Sequence, residues 1–86
     1  MNPEVVTIGL GYIGLPTSAL IASRGTNVLG VDINQSVVDT INHGKIHIVE
    51  PDLDQIVSKA VSKGNLKAST KAITAEVYLI VVPTPF

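Results

Sequence analysis

Val5-Val6-Thr7-Ile8-Gly9-Leu10-Gly11-Tyr12-Ile13-Gly14 is the stretch that decides how this chain folds. A short apolar run leads into three glycines spaced Gly-x-Gly-x-x-Gly. The residues beyond them, through Ser23, set Ile13, Leu15, Ala19, Leu20 and Ala22 largely on one face of a helix. Pro16 falls in the first turn, where its missing N–H is tolerated, and Gly25 supplies the stop. Strand, glycine turn and helix in this order make a cradle for phosphate. Gly9 lets the backbone leave the strand in a tight turn, Gly11 leaves room for a pyrophosphate, and Gly14 lets the helix lie close to the strand. The free amides around Tyr12 and Ile13 lie at the positive end of the helix dipole, so no cationic side chain is required.

The glycines alone read equally well as ordinary turn residues, and the next segment separates the two readings. A second strand-like run, Asn27-Val28-Leu29-Gly30-Val31, ends in Asp32, eighteen positions after Gly14. An acid at the carboxyl end of a second parallel strand accepts hydrogen bonds from adenosine ribose hydroxyls and repels a 2′-phosphate. Ile33 and Asn34 follow it, and the only arginine, Arg24, lies near the end of the first helix. The cofactor expected is therefore NAD rather than NADP. Asp32 by itself would read as a solvated acid at a strand end; the order of elements favours the dinucleotide.

Composition bounds the rest. The chain has 86 residues, enough for one domain with a modest core. Yet 45% of them are hydrophobic, 15% are charged, and the mean hydropathy is +0.41, more apolar than an isolated domain of this size needs. Some of that surface is expected to face something else, and self-association into a homo-oligomer is expected. The net charge of −1 and the scattered lysines, Lys45, Lys59, Lys63, Lys67 and Lys71, give no basic face, so nucleic acid is not an expected partner. The longest apolar run, Val77 to Val82, is too short to span a bilayer, and the amino terminus has no basic segment followed by a hydrophobic one, so no membrane association and a cytoplasmic location are expected. No cysteine is present, which excludes disulfides, thiolate metal sites and a cysteine nucleophile in these residues. His43 and His47 have no second ligand at metal spacing, so no metal site is expected.

Further along, Asn34 is a candidate N-cap for a short helix holding Val37, Val38 and Ile41 and closed by Gly44. Residues 45–51 read either as a short strand, from the alternation of Ile46 and Ile48, or as an ordered loop, from Gly44 and Pro51. Leu53, Ile56, Val57, Ala60 and Val61 follow the i, i+3, i+4, i+7, i+8 rule up to Gly64, and Asp52 with Gln55 resembles a capping box. Residues 66–69 suit a third strand and 70–76 a helical turn. The continuously apolar run from Val77 to Val82 predicts a fourth strand buried on both faces. The sum is an α/β, parallel-sheet, Rossmann-type dinucleotide-binding domain, its first mononucleotide half plus strand four, in the order 3-2-1-4. Ligand would bind beyond the carboxyl ends at the switch point between strands one and four, where Gly9–Gly14 and Pro83-Thr84-Pro85 lie.

These residues resemble the UDP-glucose/GDP-mannose dehydrogenase family of nucleotide-sugar dehydrogenases nearly end to end. Its motifs stand here as Gly9-Leu10-Gly11-Tyr12-Ile13-Gly14-Leu15-Pro16, Gly30-Val31-Asp32, Glu50-Pro51-Asp52-Leu53 and Val82-Pro83-Thr84-Pro85. His47-Ile48-Val49-Glu50-Pro51-Asp52-Leu53 and Asp39-Thr40-Ile41-Asn42 are similar to the branch that oxidises UDP-N-acetyl-D-mannosamine rather than UDP-glucose. The resemblance implies an NAD-dependent, two-step oxidation of the sugar's C6 alcohol to a carboxylate, in bacterial cell-surface polysaccharide synthesis. A cysteine would carry the intermediate as a thioester.

This chain lacks that cysteine, so the resemblance implies that residues 1–86 are a partial NAD-binding domain, catalytically incomplete, with no catalytic residue of their own and the UDP-sugar site mostly elsewhere. The NAD contacts it carries over are Gly9, Gly11, Tyr12, Ile13, Gly14, Asp32 and Thr84, the last near the nicotinamide side. Thr84 also reads as a turn residue between prolines, Tyr12 as an aromatic at a helix start, and Glu50 as a helix cap or loop contact rather than a catalytic acid. A UDP-glucose 6-dehydrogenase, or a stand-alone nucleotide-sensing module, is the alternative. An S-adenosylmethionine-dependent methyltransferase fits poorly, since its glycine loop rarely continues as Tyr-Ile-Gly-Leu-Pro.

Overall fold

The computed structural model describes residues 2–81. Strand β1 spans Val5–Ile8, β2 Val28–Val31, β3 Leu66–Ser69 and β4 Val77–Ile80, and helices α1, α2 and α3 span Gly14–Ser23, Gln35–Asn42 and Leu53–Ser62. All strand pairs are parallel and the sheet order is β3-β2-β1-β4, as the sequence predicts. Val5 pairs with Val28 and Val77, and Val28 with Leu66, so the four strands start level and end level. Their carboxyl ends therefore open on one side.

Side chains alternate across the pleat, which makes the two faces of the sheet different. Val28, Leu66 and Ala68 lie on the face that receives Leu15, Ala19 and Ala22 of α1, Val38 and Ile41 of α2, and Leu53, Val57 and Ala60 of α3, so all three helices cover that face. Fully burying a side chain such as Leu15, Ile41 or Leu66 contributes about 1.5–3 kcal/mol. The opposite face carries a smaller cluster of Val6, Leu29 and Val31, with Ile8 and Ala75 against it. Asn34 caps α2 as expected, its Oδ1 accepting from the Ser36 amide at 3.0 Å. Residues 45–51 form a loop that buries Ile48.

Four expectations are corrected. The buried stripe of α1 runs through Leu15, Ser18, Ala19 and Ala22, and leaves Ile13 and Leu20 exposed, because Ile13 belongs to the turn and Leu20 points away from the sheet. Asp52 is no capping-box residue. It sits in the left-handed region at φ 64°, where its side chain makes no cap bond, whereas a capping side chain needs extended backbone. The Glu50 carbonyl instead accepts from the Leu53 amide at 3.2 Å, and Asp54 Oδ1 from the Gln55 amide.

Residues 70–76 form no helical turn. The connection must cross three strand spacings and return along the strand, roughly 17 Å in all, which eight helical steps of about 1.5 Å cannot reach and extended steps can. The crossing segment is fastened by Tyr78, whose hydroxyl donates to the Ile73 carbonyl at 2.9 Å and accepts from the Ala75 amide at 3.1 Å. Finally, β4 is not buried on both faces: Val77 and Tyr78 are each 47% and Ile80 73% exposed. It pairs with β1 alone, and no helix makes more than marginal contact with it.

Candidate functional site

The carboxyl ends of β1 and β2 frame a largely apolar cleft of about 580 Å³, walled by Gly9 to Gly14 on one side and by Val31, Asp32 and Ile33 on the other. Gly9 has φ +104°, and a Cβ there would overlap the Val81 carbonyl; a Cβ on Gly14 would overlap the Gly9 carbonyl. These two glycines are dictated by backbone packing within the turn. Gly11 differs, because a Cβ there would meet nothing within 4 Å. Its missing side chain leaves space that no described residue fills.

Among the described residues no side chain caps α1, and no acid stands in its first turn. Among the described residues, the amides of Gly11, Tyr12, Ile13 and Gly14 donate to no protein acceptor. Helix termini leave such donors for a ligand or water, and the helix dipole favours an anion there. Tyr12 and Ile13 are 69% and 68% exposed, so their side chains line the cleft without filling it.

Asp32 stands at the rim, half-buried. Its Oδ2 accepts from the Leu10 amide at 3.1 Å and its Oδ1 from the Asn34 amide at 3.0 Å. A carboxylate offers about four acceptor positions, so two remain for a ligand's hydroxyls. Among the described residues no lysine or arginine lines the cleft.

The structure thus brings together Gly9, Gly11, Tyr12, Ile13, Gly14 and Asp32; Thr84 lies outside the described residues. Sequence reasoning missed Leu10 and treated Ile33 only as not being an arginine. Ile33 is 96% exposed at the cleft, an aliphatic surface beside the acid that suits a flat apolar ring. Glu50 is exposed and its side chain bonds to no described residue. His43 and His47 are exposed, and no group of three His, Cys, Asp or Glu among the described residues could hold a metal. A wider, polar depression of about 790 Å³ lies between Gly44–Ile46 and the flank of α3, lined by Lys45, Asp54, Lys59 and Lys63 and away from the Gly9–Gly14 turn.

Parallel sheet, glycine turn, uncapped helix and rim acid define a Rossmann-type dinucleotide-binding unit. Residues 3–86 match the UDP-glucose/GDP-mannose dehydrogenase family, NAD binding domain, and the chain belongs to that family. It is 62% identical over 82 residues to the UDP-N-acetyl-D-mannosamine dehydrogenase of Escherichia coli strain K12, a match covering 95% of this chain and 20% of that protein. It is 61% identical over 82 residues to the NDP-N-acetyl-D-galactosaminuronic acid dehydrogenase of Ralstonia nicotianae, covering 95% and 19%. Among solved structures it superposes on the UDP-N-acetyl-mannosamine dehydrogenase of Staphylococcus aureus with a TM-score of 0.91 and 48% identity, over 94% of this chain and 20% of that one. The chain spans about one fifth of the length of these relatives.

The cleft fits the family's cofactor. The open side of Gly11, the unpaired amides and the spare acceptor positions of Asp32 suit a pyrophosphate joined to a ribose.

Proposed function

We propose that this cleft holds the ADP half of NAD. The Tyr12 and Ile13 amides and the bare side of Gly11 face the pyrophosphate, Gly9 and Gly14 hold the turn in shape, Asp32 accepts from the ribose, Ile33 backs the adenine, and Thr84 stands toward the nicotinamide. The observation that carries this reading is the Asp32 carboxylate fixed at the rim of a cleft that no described cation lines, opposite a helix that no described side chain caps. Bound there, NAD would supply the hydride acceptor.

In the whole protein this unit serves, on our reading, the oxidation of UDP-N-acetyl-D-mannosamine to UDP-N-acetyl-D-mannosaminuronate with two NAD, in the cytoplasm and in a homo-oligomer. The names and similarity of the relatives support that reading over a UDP-glucose substrate.

Titration calorimetry with NAD and NADP tests the cofactor site. Unit charges about 5 Å apart at an effective dielectric near 20 repel by about 3 kcal/mol, and solvent screening of a half-exposed acid leaves about half of that, roughly tenfold in affinity. NAD is expected to bind at least tenfold tighter than NADP, and Asp32→Asn to erase most of the difference. A folded chain that binds neither, or an unchanged preference in the variant, refutes the assignment. For the whole protein, the expected result is two NADH per UDP-N-acetyl-D-mannosamine; turnover of UDP-glucose in its place refutes the substrate.

A further inference from the structure

Leu10 sits between Gly9 and Gly11, so whatever holds Leu10 holds the phosphate cradle. Three consecutive residues at the end of β2 do so. The Val31 carbonyl accepts from the Gly9 amide at 2.8 Å, and Asp32 Oδ2 accepts from the Leu10 amide at 3.1 Å. The Leu10 side chain, 1% exposed, occupies the notch over Gly30: a Cβ on Gly30 would come within 2.6 Å and 2.9 Å of its two methyl carbons. A glycine inside a strand commonly marks such a close approach. Gly30 is otherwise in the interior of β2, where glycine is a poor strand residue.

We propose that Asp32 is a positioning residue for the glycine turn in addition to its contact with the ribose, and that Gly30 is the socket for Leu10 that completes the same latch. The inference rests on the reading that the cleft takes the ADP half of a dinucleotide. Since each oxygen of Asp32 spends one acceptor position on a backbone amide, the ribose is engaged without releasing Leu10. Ribose recognition and cradle shape thus meet in one carboxylate. Asparagine cannot replace it, because its single oxygen serves one amide and its NH₂ turns a donor toward the other.

The test separates the two roles by removing the hydroxyls from the ligand. ADP and 2′,3′-dideoxy-ADP are titrated by calorimetry into the wild-type chain, Asp32→Asn, Gly30→Ala and the double variant Gly30→Ala/Leu10→Ala. The latch predicts that Asp32→Asn weakens dideoxy-ADP at least fivefold, although that ligand has no hydroxyl for Asp32 to read. It also predicts that Gly30→Ala weakens both ligands and that trimming Leu10 restores much of the loss. An Asp32→Asn variant that loses ADP affinity but holds dideoxy-ADP within twofold of wild type overturns the proposal.

Hydrogen exchange at the Leu10 amide gives a second readout that needs no ligand and does not depend on Gly30→Ala folding. At least tenfold faster exchange in Asp32→Asn, in a chain whose core amides stay protected, supports the latch. Unchanged exchange overturns it. A wild-type chain that binds neither ADP nor dideoxy-ADP instead refutes the cofactor-site reading, and the exchange measurement then still decides the latch.

Discussion

Gly11→Ala should make this protein more stable and a worse binder. A Cβ at Gly11 meets no atom within 4 Å, and its φ lies outside the left-handed range, so alanine is accommodated without strain. Replacing such a glycine restricts the unfolded chain, which stabilises the fold by about 0.4–1 kcal/mol. For a domain of this size each kcal/mol moves Tm by about 4–8 °C, so a rise of about 2–8 °C is expected. The same methyl enters the space assigned to the pyrophosphate, and displacing the phosphates from even one amide contact of a charge-assisted kind removes about 1.5–3 kcal/mol, roughly tenfold to a hundredfold in Kd.

Gly9→Ala and Gly14→Ala serve as controls, because each new Cβ overlaps a backbone carbonyl. Both should lower Tm whether or not cofactor is present. Differential scanning fluorimetry and NAD titration on the three variants give the answer. A Gly11→Ala chain that melts earlier than wild type, or that binds NAD within twofold of it, refutes the view that Gly11 is kept for the ligand rather than for the fold.

Two further variants test the scaffold around the site. Thr7 is fully buried in β1 with no hydrogen-bond partner for its hydroxyl among the described residues, so Thr7→Val, which keeps the shape and removes the orphan group, should stabilise the chain by about 1 kcal/mol in urea denaturation; a loss of stability would mean the hydroxyl is satisfied in solution. Asn42 pairs with the free edge of β3 as another strand would, its amide donating to the Ala68 carbonyl at 2.9 Å and its oxygen accepting from the Ala68 amide at 2.8 Å. Asn42→Ala should cost about 2 kcal/mol in the same assay, and a change below about 0.5 kcal/mol would show that water replaces both bonds.

The sequence made the site legible where function and local backbone chemistry coincide. Gly9, Gly14 and Asp32 occupy positions where few residues will serve, and their spacing carries the parallel strand order with it. What stayed hidden depended on distance across the chain. Nothing near Asp32 in sequence says that it bonds to Leu10, twenty-two residues away, and nothing near Asn42 says that it closes the β3 edge. Gly30 did carry a signal, a glycine inside a strand, but the partner that explains it is visible only once β2 lies beside the turn. The failed capping box at Asp52 is the converse case. There the local pattern was right and the backbone, bent left-handed after Pro51, turned the carboxylate away.

Six of the nine large apolar side chains exposed among the described residues fall in two places, Leu20, Val49 and Ile73 standing apart, and the difference between the two is informative. Tyr12, Ile13 and Ile33 are exposed around the cleft, where a cofactor with one flat apolar ring and one charged centre would cover aliphatic and aromatic surface beside free amides. Val77, Tyr78 and Ile80 are exposed on β4, which lies at the sheet edge with no counterpart to the Asn42 clamp among the described residues. Exposed apolar edges invite pairing unless something blocks them, so one edge of this sheet is closed and the other is left available. The cleft reaches Val81, just beyond β4, and is lined by no residue of β3, so the open edge lies nearer to it than the sealed one. The β3 edge is thus closed by Asn42, while the β4 edge keeps its apolar surface uncovered among the described residues.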